Sequence, residues 1–225
     1  MTAGGDPLSE RLARLDACAV SDALDRLGLA GTVHGIFRAW PCQRVAGRVI
    51  TVKLGPAPPR PVSSPRHHLG AAAIFAAEPG NLIVMASGGR TDVAAWGGLL
   101  SLAAATRGVG GVIIDGACRD VDDSQELGFP VYARAAVPTT ARGRLVEETT
   151  GTPVAVGGMF VRTGDLTIAD GSGVVFISAE RADEVVAVAE ELAARENVMA
   201  EELRSGKSVL DVMGAGYESL LHRGG

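Results

Sequence analysis

Aromatic side chains are scarce in this chain, at 4% of 225 residues, and cysteine is scarcer still, at three. With so few rings the core has to be Ala, Val, Leu and Ile, and 30 glycines let backbones approach one another closely around it. Cys18, Cys42 and Cys118 are odd in number, widely spaced and form no CxxC pair. That excludes a disulfide framework and a structural zinc site, and it points to a reducing compartment. Basic charge is short as well: 21 Lys and Arg against 26 Asp and Glu leave a net charge of -5, with no basic cluster interleaved with aromatics. No direct nucleic-acid binding is expected from such a surface. No apolar run reaches the ~18 residues of a membrane span, and residues 1–15 do not read as a basic stretch leading into an apolar one. The expectation is a cytoplasmic protein with no membrane partner.

Several catalytic signatures are also missing. There is no GxSxG, HExxH or P-loop, and no Cys and His stand in a recognisable pairing. Lys53 lies in a strand pattern and Lys207 follows the last helix, so neither suits Schiff-base chemistry. His67 and His68 are adjacent, which turns their side chains apart on a strand or a helix and keeps them from sharing one ion.

What is present is an α/β pattern, 47% hydrophobic, long enough for one domain over residues 1–225. Leucines at 8, 12, 15, 24 and 27 predict two short helices, broken near Ala19, the second capped at Ser21 or Asp22 and stopped by Gly28. Residues 45–54 read as a strand, and 55–65, with five of the eleven prolines, as a loop. Residues 69–77 predict a helix and 81–86 (NLIVMA) a buried strand with a glycine loop after it. A helix is expected over 92–107, a second buried strand over 111–114 closed by an Asp115-Gly116 turn, and a third over 129–134. Short strands at 154–156, 160–162, 166–169 and 173–177 precede a long helix over 181–204, with Gly206 as its cap. Strand, glycine loop, helix, strand is a βαβ unit, which places ligands at the carboxyl ends of its strands.

Two features lie at that end. Gly97 and Gly98 open a helix where the free amides of Leu99 and Leu100 and the helix dipole favour an anion; the plainer reading is a tight strand-to-helix turn. Arg119 and Asp120 follow the second strand: Arg119 suits a carbonyl or carboxylate oxygen, and Asp120 suits a cation. One carboxylate with retained waters fits Mg²⁺ or Mn²⁺ better than zinc, and the plainer reading is a surface ion pair. Asp122 and Asp123 extend the acidic run, either as an acidic helix start or, for one of them, as a group that orients water on the ion. Glu190, Glu191 and Glu196 on the last helix ordinarily form a solvated face.

The stretches SDALDRLG at 21–28, WGGLLSLAAATRGVGGVIIDGACRDVDD at 96–123 and ELGFPVYAR at 126–134 resemble the RraA-like family. That family includes divalent-metal-dependent 4-hydroxy-4-methyl-2-oxoglutarate and 4-carboxy-4-hydroxy-2-oxoadipate aldolases, and the RraA regulators of ribonuclease E. The resemblance implies a layered α/β/α domain of the swivelling β/β/α type with a C-terminal helix. It implies that the amides of Leu99 and Leu100 hold the carboxylate of a pyruvyl group, that Arg119 contacts the keto or enolate oxygen, and that Asp120 binds Mg²⁺ or Mn²⁺. It further implies a homotrimer or hexamer with sites between subunits and a glutamate, for which Glu196 is the candidate, arriving from a neighbour. The aldolases carry an acidic residue twenty-one positions before the arginine, where this chain has Gly98, as the regulators do. The expected activity is a carbon-carbon lyase releasing pyruvate from a small 2-oxo dicarboxylic acid, by retro-aldol cleavage or oxaloacetate-type decarboxylation. The alternative is a non-catalytic regulator that binds a ribonuclease or an RNA helicase.

Overall fold

Local capping sets the N-terminal elements. In the computed structural model, which describes residues 6–58 and 67–214, helix α1 (Pro7–Leu12) starts with proline behind Asp6, whose carboxylate accepts the Ser9 amide. Helix α2 (Ala17–Leu27) starts at Asp16, whose carboxylate accepts the Ala19 amide at 2.8 Å, and ends at Gly28 in the left-handed conformation (φ 65°). The break expected near Ala19 thus lies at 13–16, and Asp16, rather than Ser21 or Asp22, is the cap.

The chain continues through β1 (Thr32–Val33), β2 (Phe37–Arg38), β3 (Val45–Pro56), α3 (Ala71–Ala76), β4 (Leu82–Trp96), α4 (Gly98–Thr106), β5 (Gly111–Cys118) and α5 (Val121–Glu126). After β6 (Val131–Ala136) and β7 (Leu145–Thr150) comes a hairpin of β8 (Val154–Val156) and β9 (Met159–Val161). Strands β10 (Leu166–Ala169) and β11 (Val174–Ile177) lead into α6 (Ala182–Arg204) and α7 (Val209–Val212). Among the described residues nine strands form one sheet in the order β1-β11-β10-β3-β4-β5-β6-β2, with β7 also on β3. The central pairs β3-β4, β4-β5 and β5-β6 are parallel, and β10 and β11 extend the sheet antiparallel.

Period-two burial assigns the faces. Ile83 and Met85 of β4, Val112 and Ile114 of β5, and Val131 of β6 pack with Ala73, Ile74, Leu100 and Ala104 of the helices. The alternate residues Leu82, Val84, Ile113 and Tyr132 pack with Val154, Val156 and Val161 of the hairpin. Helices on one side and a hairpin on the other give the β/β/α layering that the resemblance implies. A one-residue slip would exchange the two sets, each buried aliphatic side chain being worth about 1.5–3 kcal/mol. At the antiparallel end α2 and α6 bury Val20, Leu24, Val185 and Leu192 against Leu166, Ile168 and Ile177. No helix among the described residues is long and apolar enough to cross a membrane.

Three expectations about the central unit need correction. The glycine loop after residue 86 is strand: β4 runs to Trp96, its pairing with β5 shifting register between Ala86, Arg90 and Ala94 while Gly88 and Gly89 take positive φ. The helix expected from residue 92 accordingly starts at Gly98. Asp115-Gly116 is interior strand rather than a turn, because the Asp115 carboxylate, 4% exposed, is satisfied by Arg134 of β6. Strands β1, β2 and β7 were not expected, and the proline loop is outside the described residues from 59 to 66.

Candidate functional site

Parallel β4 and β5 end side by side, and the site lies where the segments leaving the two strands meet. The Arg119 amide donates to the Trp96 carbonyl (2.9 Å), tying the two strand ends together. Asp120 then turns the chain into α5 with φ 55° and ψ 46°, the one non-glycine residue with positive φ among those described. A left-handed aspartate stores strain, and here it aims the carboxylate back at the start of α4. Oδ2 accepts the Gly98 amide at 3.0 Å, and both oxygens lie 3.1 Å from Arg119 Nε.

The adjacent glycines are there for room. Gly97 has extended backbone (φ -157°), and Gly98 is outside the left-handed region, so neither conformation demands glycine. A Cβ on Gly97 would stand 2.8 Å from Asp120 Oδ2 and 3.1 Å from Arg119 Cγ; one on Gly98 would stand 2.4 Å from Asp123 Oδ2. The side chains of the β5-α5 junction occupy the space that two α4 side chains would need.

Beneath them runs a buried polar chain. Trp96 Nε1 donates to Ser101 Oγ (2.9 Å), which is paired with Ser124 Oγ (2.9 Å), whose hydroxyl lies 3.3 Å from the Asp120 carbonyl. It locks α4 to α5 under the site. Sequence reasoning missed these residues. The one signal was Trp96, a ring whose N–H needs a partner once buried.

Above the junction is a cavity of about 180 Å³, walled by His68, Leu99, Arg119, Asp120, Thr140 and Arg142. The Arg119 and Asp120 side chains are 39% and 32% exposed, open to a ligand entering there. The Leu99 amide has no protein partner among the described residues and is free for an oxyanion at the helix start. The Leu100 amide differs from expectation, since it already donates to the Gly97 carbonyl (3.1 Å). Two side chains from a different part of the sequence, Thr140 and Arg142, complete the wall and carried no signal in the sequence.

Other candidates are elsewhere. Glu196 of α6 is not in the cavity wall but beside α2, where burial, then Asp22 and Asp16, raise its pKa. Asp22 is raised by burial and by Asp25 and Asp16. Lys53 is paired with Glu148 (2.9 Å) and Lys207 with Glu202, away from the site. Of the adjacent histidines only His68 reaches the cavity. Among the described residues no three His, Cys, Asp or Glu side chains converge as a metal cage. Any ion held here has few protein ligands.

A family model described as RraA-like, Aldolase/RraA, matches residues 17–176. A protein of Halalkalibacterium halodurans named "Putative 4-hydroxy-4-methyl-2-oxoglutarate aldolase" is 30% identical over 203 residues, 86% of this chain and 89% of that one. An uncharacterized protein of Methanocaldococcus jannaschii is 37% identical over 127 residues, 56% of this chain; the match spans 60% of that protein's length. Among solved structures, an uncharacterized protein from Pseudomonas syringae pv. tomato superimposes with a TM-score of 0.82 at 28% identity, over 92% of this chain and 96% of that one.

Proposed function

Because the chain belongs to the RraA-like family, we propose that it is a divalent-metal-dependent carbon-carbon lyase that releases pyruvate from a small 2-oxo dicarboxylic acid. The observation that carries this reading is the junction itself: Arg119, the Asp120 carboxylate and the Leu99 amide share one cavity at the carboxyl ends of two parallel strands.

Asp120 would hold the ion. A carboxylate anchored by the Gly98 amide, with no cage around it among the described residues, fits a cation that keeps most of its own water, as Mg²⁺ and Mn²⁺ do, and not zinc. The chemistry such an ion supplies is charge stabilisation at an enolate oxygen. The chain's own groups do the rest. The Leu99 amide and the start of α4 take the substrate carboxylate, and Arg119 exchanges its bond to Asp120 for one to the 2-oxo oxygen. Breaking the C3–C4 bond leaves its electron pair in the enolate while C4 departs as carbon dioxide or, once its hydroxyl has given a proton to solvent, as a carbonyl; Arg119 favours the enolate charge, and a proton from solvent at C3 completes pyruvate. Retro-aldol cleavage and decarboxylation form the same enolate, so one site serves both.

The assembly belongs to the proposal as well. Asp16, Asp22 and Glu196 gather negative charge with no cation among the described residues to pair with Asp22 or Glu196, and the outer part of α6 with α7 exposes Val198, Leu203, Val209, Leu210 and Met213. Such an arm suits a trimer or hexamer in which one subunit's acidic cluster faces its neighbour's site. The name of the family covers regulators too, but a non-catalytic role leaves the strained Asp120 and its cavity without a purpose.

The test is pyruvate release from oxaloacetate and 4-hydroxy-2-oxo diacids by the purified chain with Mg²⁺ or Mn²⁺. Metal-dependent release that Arg119→Ala removes is the expected result. No release from either class, or release unaffected by Arg119→Ala, would sink the lyase reading.

A further inference from the structure

We propose that Asp123 supplies the second carboxylate of the metal site, reaching from α5 into the space a side chain on residue 98 would fill. The inference rests on the metal-dependent reading of the site and deepens it.

Residue 98 is a glycine that the backbone does not require. Gly98 opens α4 with ordinary φ, where glycine costs up to about 1 kcal/mol relative to alanine. The room around it explains the residue: a Cβ there would meet Asp123 Oδ2 at 2.4 Å, Asp123 Cβ at 3.1 Å and Cγ at 3.2 Å. The same residue's amide donates to Asp120 Oδ2. Two carboxylates three positions apart on the β5-α5 junction therefore converge on Gly98 from different directions, and the left-handed turn at Asp120 makes this possible.

Charge points the same way. Asp120 has Arg119 as its counter-ion, whereas Asp123 has neither a cation nor a hydrogen-bond donor on its carboxylate among the described residues. Asp123 is exposed beside the cavity rather than in its wall, and with Asp120 and one guanidinium it leaves one negative charge around the start of α4, which a divalent cation reverses to one positive charge, the sign that an anionic 2-oxo acid needs. Asp122, also in the first turn of α5, offers the same favourable interaction with the helix dipole but does not abut Gly98. The dipole alone does not account for Asp123's placement.

The experiment is Mn²⁺ affinity of the full chain, read by electron paramagnetic resonance of free Mn²⁺, which needs no turnover. Asp123→Ala and the near-isosteric Asp123→Asn should weaken binding by roughly ten- to a hundredfold, and Asp120→Ala should remove it. Adding Gly98→Asp to Asp123→Ala returns a carboxylate to the same space and should restore most of the affinity. Gly98→Asp alone meets the resident Asp123 and should lower the melting temperature. Wild-type affinity in both Asp123 variants, with binding lost in Asp120→Ala, overturns this proposal and leaves the metal reading standing. A loss in Asp123→Ala that Gly98→Asp does not recover assigns Asp123 to the helix start and overturns it too. Wild-type affinity in Asp120→Ala overturns the metal reading and this proposal with it.

Discussion

Strand β5 carries one aspartate in its interior and delivers another just past its end, each with an arginine, yet the two pairs are built differently. Asp115 is 4% exposed: Arg134 Nε donates to one oxygen at 2.5 Å and the Gly157 amide to the other at 3.3 Å, while Arg134 also donates to the His34 carbonyl. Both Asp115 oxygens and two of the three Arg134 nitrogens have partners, and neither residue lines the cavity above Asp120. Asp120 shares a single Nε of Arg119 between its two oxygens, the pair is about one-third exposed, and the backbone beneath is strained. A saturated pair holds strands together; an unsaturated pair at a cavity floor is ready to exchange partners. The chemistry of the residues is the same, and surroundings alone separate the roles.

The comparison breaks most visibly in stability. Asp115→Ala leaves the half-buried Arg134 guanidinium without its counter-ion and should destabilise the fold by about 1.5–3 kcal/mol, measured by denaturant unfolding. Arg119→Ala should change stability by no more than about 1 kcal/mol. If the two substitutions had similar effects on unfolding, the distinction would be lost. The ranking reverses for catalysis: Arg119→Ala should lower kcat for pyruvate release by about 10²–10³-fold, the usual loss for one charge-stabilising donor.

Strain sharpens the contrast further. Asp120→Gly and Asp120→Ala both remove the carboxylate, but glycine accepts φ 55° freely and alanine does not. The glycine variant should be the more stable by about 1 kcal/mol while both are inactive. Equal melting temperatures would mean that the turn relaxes and holds no strain.

These differences explain what was legible in the sequence. The continuous apolar runs at 82–86 and 111–114 and the helix over 182–204 could be read from periodicity, since their burial is set by local pattern. Arg119 and Asp120 could be picked out because they come directly after such a run. Asp115-Gly116 could not be told from a turn, because the partner that keeps it in the strand is nineteen residues away, and β4 through Gly88 and Gly89 is held by register against β5, not by its own composition. Gly97 and Gly98 looked like backbone requirements and proved to be spaces, a distinction that exists only once Arg119, Asp120 and Asp123 are placed.

A third acidic group extends the comparison to charge with no counter-ion among the described residues. Burial and the neighbouring Asp22 and Asp16 raise the Glu196 pKa from its ordinary 4.5, so the folded chain holds that proton more tightly than the unfolded one. A raised carboxylate pKa opposes folding at pH values above it, and the penalty fades as pH falls through the folded value towards the unfolded one. Glu196→Gln should therefore raise the melting temperature of the metal-free protein slightly at neutral pH and lose that advantage near pH 4.5. Melting curves at the two pH values check this. A Gln variant less stable at neutral pH would show that Glu196 is compensated, and that the acidic cluster, unlike the Arg119-Asp120 pair, is not waiting for a charge from outside the subunit.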